Sequence, residues 1–257
     1  MKIIRSAEND DKLIGLWMKV FGDEREYIEL LFPDEENYCD IFALFDNGSI
    51  CSALYLLDCT LKFNGSQYKG KYLYAAATDE NYRGRGLMSL LIKETQDFCK
   101  NEGLDFIALV PADDDLYNYY EKFGFVSAMH RVTEFSFADK ASVKEEISAE
   151  DYFSQRGQRL DNCISFSGNS VRYAALCLGY TGLEFYKNNN GDIFVTEKNS
   201  CLYDEFITDD TAVRFVVDNE ARNNNSIIEK FGMIYPICNE LKKDWKFTDL
   251  YMNIALD

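Results

Sequence analysis

"YRGRGLMSLLIKE", from Tyr82 to Glu94, sets two glycines and two arginines directly before an apolar run with helical spacing. Glycine lets the main chain turn through conformations closed to other residues, so successive N–H groups can converge on one point. The first turn of a helix adds unpaired N–H donors and the positive end of its dipole, and the arginines add full charge. Such a turn suits an anion, and phosphate above all. Behind it, Leu87, Leu90, Leu91 and Phe98 form one side of a predicted helix, broadened by Met88, Ile92, Thr95 and Cys99. Lys93, Glu94, Gln96, Asp97 and Lys100 are expected outside, and Gly103 is placed to cap the C-terminus.

On the N-terminal side, "DDKLIGLWMKVFG" has helical spacing closed by Gly22, and "DEREYIELLF" predicts a second short helix. The period then changes. Apolar and aromatic runs broken by "DNGS" and "FNGSQ" predict a three-stranded antiparallel meander ending near Thr78, because Asn-Gly between such runs signals a hairpin. On the other side, "FIALV" is a short strand stopped by Pro111, so strand, helix and strand form a βαβ-type crossover. "DDDLYNYYEKFGF" adds a short helix leading into another strand.

The polar stretch "ADKASVKEEISAE", about 138–150, has no apolar period and reads as a linker between residues 1–137 and 151–257. Beyond it, "SGNSVRYAALCLGY" reads as a helix, "GLEFYKNNNGDIFVTE" as a hairpin and "TDLYMNIALD" as a terminal strand, whereas "TAVRFVVDNEA" fits helix or strand. "EKFGF" at Glu121–Phe125 returns as "EKFGM" at Glu229–Met233, an echo that fits either chance or a duplicated fold.

The chain has 257 residues, 47% of them hydrophobic, enough for a substantial core. Its net charge of −17 opposes nucleic acid and either draws in cationic substrates or serves only solubility. Eight cysteines without a C-x-x-C pair read as reduced, mostly buried thiols. The single histidine, His130, offers neither a mixed-ligand metal site nor a catalytic triad, and is expected on a strand edge. No metal is expected. The N-terminus has no secretory pattern and no window spans a bilayer, so a cytoplasmic location without a membrane partner is expected.

Two phosphate-binding turns fit poorly: there is no G-x-x-x-x-G-K-[ST] run, and Ser89 stands where a dinucleotide fingerprint has its third glycine. The run Arg83, Gly84, Arg85, Gly86, Leu87, Met88 instead follows R-x-x-G-x-[G/A], the coenzyme A pyrophosphate turn. Together with "YLYAAAT", "FIALV" and "YYEKFGF", this makes residues Tyr72 to Val126 resemble the GNAT superfamily of acetyl-CoA-dependent N-acetyltransferases. One departure is Met88, where the family has Gly or Ala. The whole chain is similar to the tandem layout of the enhanced-intracellular-survival type, but too short for that type's sterol-carrier-like third domain.

The resemblance implies an α+β fold with a mixed sheet: a catalytic GNAT domain over 1–137 and a degenerate GNAT-like domain over 151–257. It implies acetyl-CoA as cosubstrate, with pantetheine along the fourth strand near Ala76, Ala77 and Thr78, and pyrophosphate held from Arg83 to Ser89. It implies acetyl transfer by direct attack of a primary amine on a small molecule or peptide, possibly a cationic one. The family's proton donor to the leaving thiolate matches Tyr120. No strand carboxylate is evident as base; Asp58, Asp113, Asp114 and Asp115 are candidates, and a water chain would also serve. The alternatives are a coenzyme-A-binding regulatory or scaffold protein without turnover, or a transferase of another acyl group.

Overall fold

The computed structural model describes residues 2–4, 10–33, 36–136, 144–198, 200, 202–209, 211–217, 225–243 and 250–251. Strand β1 (Lys2–Ile4) and helices α1 (Asp10–Phe21) and α2 (Arg25–Glu29) precede the meander of β2 (Cys39–Asp46), β3 (Ser49–Phe63) and β4 (Ser66–Thr78). Both meander turns are Asn-Gly pairs at positive φ, 50° and 82° at Asn47 and Gly48, 49° and 73° at Asn64 and Gly65. That conformation matches the twist of the strands it joins. Helix α3 (Leu87–Asn101) crosses to β5 (Phe106–Leu109), parallel to β4, and α4 (Asp114–Glu121) leads into β6 (Val126–Ser136).

The rest of the chain supplies β7 (Glu145–Glu146), α5 (Ala149–Arg159), β8 (Cys163–Phe166) and α6 (Ser170–Tyr180). It continues through β9 (Leu183–Lys187), β10 (Ile193–Glu197), β11 (Leu202–Thr208), β12 (Thr211–Val217), β13 (Asn225–Pro236), α7 (Asn239–Lys243) and β14 (Leu250–Tyr251). All strands join one mixed sheet whose main path runs β1-β2-β3-β4-β5-β13-β6-β12-β11-β10-β9-β7. The fold is therefore α+β, as expected from the sequence.

The two halves share this sheet. Strand β13 inserts antiparallel between β5 and β6, pairing Met233 with Leu109 on one side and Ile228 with Val132 on the other. Strand β12 runs parallel to β6, and β8 pairs with the far end of β3. The stretch expected to be a featureless linker is described only from Lys144; there it forms β7, paired with β9, and Ser148 caps α5 by accepting from the Asp151 N–H.

Alternation along β3 divides the core. Leu54 and Leu56 pack with α3 and β5 through Leu91, Ile92 and Ile107, whereas Tyr55 and Leu57 pack with Leu13 and Trp17 of α1. Gly103 (φ 69°) closes α3 as expected, with its N–H on the Lys100 carbonyl. The buried stripe of α3 differs from the expected one. Leu90 is 40% exposed, and Gln96 points inward and donates to the Phe123 carbonyl at 2.8 Å. The helix sits rotated toward the 87, 91, 92, 95, 99 stripe, and both polar side chains it buries, Thr95 and Gln96, donate to main-chain carbonyls.

One further expectation changes and two open readings close. His130 is not on a sheet edge, since β6 lies between β13 and β12. "TAVRFVV" is strand. The "EKFG" echo has no structural counterpart, because Glu121–Phe125 end a helix while Glu229–Met233 lie in β13. Of the cysteines, Cys201 lies outside the described residues; the other seven are free thiols, and six of them are buried. No described helix is long and apolar enough to cross a membrane.

Pairing of β4 with β5 begins at Gly70, where a Cβ would stand 2.6 Å from the Phe106 carbonyl oxygen. Main chain cannot yield as a side chain can. Gly70→Ala is expected to cost about 1–3 kcal/mol, read as a lowered midpoint in urea denaturation.

Candidate active site

Strands β4 and β5 pair only at Gly70, Lys71 and Tyr72, opposite Phe106, Ile107 and Ala108. Past these residues β4 runs on to Thr78 without a partner on the β5 side, so the strands part and a cleft opens between their C-terminal ends. At the same place β4 carries a bulge. Ala53 pairs with Ala77 and Tyr55 with Tyr74, so Ala75 and Ala76 together face Leu54, and Ala75 takes a positive φ of 46°. A non-glycine residue held there is strained by about 1–2 kcal/mol. The bulge takes Ala75 and Ala76 out of the β3 ladder, and both line the cleft.

The cleft has a volume of about 750 Å³. One wall is aromatic, with Trp17 and Phe21 of α1 beside Tyr72 and Tyr74 of β4. Trp17 sits 5.3 Å from Tyr74 between ring centroids, and its Nε1–H donates to Asp23 at 2.7 Å, which fixes that carboxylate at the rim. The opposite wall is Asp113, Asp114, Tyr117 and Tyr120, and the floor beyond it comes from the strand insertion: Arg131 of β6 with Lys230 and Phe231 of β13.

Tyr120 lies at 7% exposure, its ring against Tyr119 and Phe125 at 5.4 and 5.7 Å. Its hydroxyl has no hydrogen-bond partner among the described residues. Burial, and secondarily Tyr119, push the phenol well above the ordinary tyrosine range, so it holds its proton at neutral and mildly alkaline pH.

The glycine turn stands at the entrance to α3. Gly84 and Gly86 have φ of 75° and 74°, Gly86 occupies the N-cap, and no side chain caps the helix. The turn is exposed while Leu87 is buried beneath it. Arg83 Nε donates to the Thr78 carbonyl at 3.2 Å, tying the turn to the end of β4, and Arg85 donates to the Asn81 carbonyl at 3.0 Å while lying over the Tyr82 ring. The uncapped first-turn amides, two braced arginines and open space around both glycines fit a diphosphate.

The residues expected from the sequence thus separate. Ala76 and Tyr120 meet at the cleft, and Arg83 to Gly86 form the turn. Ala77 is buried and its carbonyl accepts from Ser52, whose hydroxyl also bonds Thr78; neither Ala77 nor Thr78 lines the cleft. Met88 packs on the core under α3, and Ser89 meets the Tyr119 hydroxyl at 3.3 Å. Among the base candidates, Asp58 is held by Lys71 at 2.6 Å away from the cleft, Asp113 caps α4 through the Leu116 N–H, and Asp115 is not on the wall. Sequence reasoning missed Trp17, Asp23, Tyr74, Arg131 and Lys230. The "GD" after α1 was the one local signal, whereas the cations of β6 and β13 are 99 residues apart (230 − 131) and meet only in the sheet.

Comparison with known proteins agrees with this geometry. The family described as Acetyltransferase (GNAT) domain matches residues 4–128. A probable N-acyltransferase from Enterococcus faecalis V583 superposes with a TM-score of 0.67 at 12% identity, over 92% of this chain and 72% of that one. A GCN5-related N-acetyltransferase from Kribbella flavida gives 0.62 at 14% identity, over 91% and 70%. Eis1 from Mycobacterium abscessus gives 0.62 at 10% identity, over 92% and 73%. At these identities the likeness is one of fold, and it extends through both halves of the chain. No curated protein matches. Residues 4–128 thus match the GNAT acetyltransferase domain family, and the likeness of fold to the solved structures continues across most of the remainder.

Proposed function

We propose that this protein is an acetyl-CoA-dependent N-acetyltransferase that acetylates a primary amine by direct attack within a ternary complex. The observation that carries the reading is the parting of β4 and β5 beside a bulge at Ala75, next to an uncapped glycine turn. Acetyl-CoA, when bound, supplies an acetyl group activated as a thioester. The turn from Arg83 to Ser89 holds the diphosphate, and the unpaired edge of β4 offers its main chain along the cleft. Ala75 and Ala76 keep that edge free of bulky side chains.

The amine nitrogen forms a bond to the acetyl carbon as the carbon–sulfur bond breaks, and the Tyr120 phenol gives its proton to the departing sulfur. The nitrogen loses a proton in turn. Asp113 and Asp114 on the wall, Asp23 at the rim, and water are the acceptors the cleft provides. The aromatic wall excludes water from the thioester and orients the acceptor.

Acetyl-CoA turnover over a panel of amines, followed by thiol release, tests the reading; saturable binding with no turnover on any amine would favour a coenzyme-A-binding regulatory protein instead. The turn is tested separately by Gly86→Val. At φ 74° a β-branched side chain is strongly disfavoured, although nothing crowds the position. Acetyl-CoA affinity is expected to fall about tenfold or more by calorimetry, as expected for losing one charged hydrogen bond. Unchanged affinity would remove the turn from the site.

A further inference from the structure

Resting on the acetyltransferase reading, we infer that the amine acceptor also carries a carboxylate, held by Arg131 and Lys230 at the β6–β13 floor of the cleft. The chain's charge of −17 suggests cationic acceptors, but bulk charge governs approach, while the groups lining the cleft govern what stays. Those groups are unevenly satisfied. Asp23 already accepts from Trp17 at 2.7 Å and Asp113 from the Leu116 N–H at 2.9 Å, while Asp114 is exposed to water.

The cations are less engaged. Lys230 Nζ rests 4.7 Å from the Tyr117 ring centroid and has no carboxylate partner among the described residues. Arg131 lies over Phe231 at 4.7 Å; its one ion pair among the described residues, with the half-exposed Glu229, is long at 3.4 Å, and the partly buried Asp204 lies near enough to feel its charge. Its Nε is buried without an acceptor among the described residues. A ring face orients a cation but does not take its hydrogen bonds. The hydrogen-bonding capacity left over in this cleft is therefore of donor type, and two cations against one edge of it call for an anionic oxygen.

This anion is not the diphosphate of the cosubstrate. None of residues 83–89 lines the cleft, and the turn is tied instead to the end of β4, where Arg83 donates to the Thr78 carbonyl. Tyr117 fixes the arrangement from the other direction: it carries Lys230 on its ring and lies one helical turn before Tyr120. A carboxylate on the cations would hold the molecule's amine a short distance away, toward Tyr120 and the parted strands. An amine bearing a carboxylate close to its nitrogen, as in a free amino acid, has that reach; the aromatic wall of Trp17, Phe21 and Tyr74 suits an apolar or aromatic side chain.

The test uses the full chain with coenzyme A bound, the twenty amino acids, their α-decarboxylated amines and their carboxamides, with spermidine as a cationic control. Binding by calorimetry reads the inference, and turnover with acetyl-CoA reads the acetyltransferase proposal. At least one amino acid is expected to bind about tenfold or more tighter than both its decarboxylated and its amidated partners, the worth of a charge-assisted pair. Lys230→Gln and Arg131→Gln are each expected to cut that preference to below about threefold, while affinity for the decarboxylated amines changes by less than about twofold. Binding of amino acids without turnover of any amine would leave this inference standing and remove the transferase reading. Tighter binding of spermidine or of decarboxylated amines, no binding by any amino acid, or an undiminished preference in both variants would overturn the inference even if acetyl transfer to some other amine were found.

Discussion

Tyr120→Phe is expected to lower kcat by about 10²–10⁴-fold, the usual worth of a positioned general acid, while acetyl-CoA affinity stays near that of the wild type. The substitution removes one oxygen and leaves the ring in its packing against Tyr119 and Phe125. That oxygen has no partner among the described residues to strand, so the thermal midpoint should move little. The pH dependence supplies an independent check. A phenol at its ordinary value of about 10 would lose its acid form on the alkaline side of the profile. Burial raises the Tyr120 phenol, which therefore remains protonated through that range, so the ratio of wild-type to variant kcat should stay level from pH 7 to about pH 10. Equal kcat values at every pH would take Tyr120 out of the reaction.

The largest stability effect is expected far from the cleft. Arg156 of α5 and Glu205 of β11, with side chains 2% and 0% exposed, form a two-pronged pair at 2.8 and 3.0 Å. Arg156 also donates to the Ile164 carbonyl at 3.1 Å and to Ser165, and the Tyr152 hydroxyl donates to Glu205. Removing one member leaves a buried charge uncompensated. Arg156→Met is expected to destabilise by about 3–5 kcal/mol, or roughly 10 °C in the thermal midpoint of a chain this size. The double change Arg156→Met with Glu205→Leu should recover much of that loss, because it removes both desolvation penalties. If the double variant were no more stable than the single one by calorimetry, the pair would be contributing packing rather than charge.

Local chemistry in the sequence was enough to read some parts of this molecule. Asn47-Gly48 and Asn64-Gly65 announce hairpins because few other residues accept positive φ twice in succession. The turn before α3 was legible for the same reason. Helix α5 escaped notice because its buried face is Tyr152, Phe153 and Arg156, an amphipathic pattern disguised by a charge, with Gly157 next to it. The bulge at Ala75 leaves no mark among three alanines. The cleft floor was out of reach, since pairing of His130 with Lys230 is set by which strand edges remain open once the rest of the sheet has formed, and periodicity carries no such information. The expected division at 138–150 followed composition, and its first part, 138–143, lies outside the described residues.

The insertion of β13 between β5 and β6 has a consequence for how the molecule comes into being. A ribosome that has completed residues 1–137 has delivered the turn, the splayed strands and Tyr120, yet the slot beside Leu109 still awaits a segment made some hundred residues later. Until Pro236 emerges, two raw edges of the nascent sheet stand open to chaperones or to each other. A chain halted after residue 137 would therefore present the β5 and β6 edges bare, and only the later segment Asn225–Pro236 covers both at once.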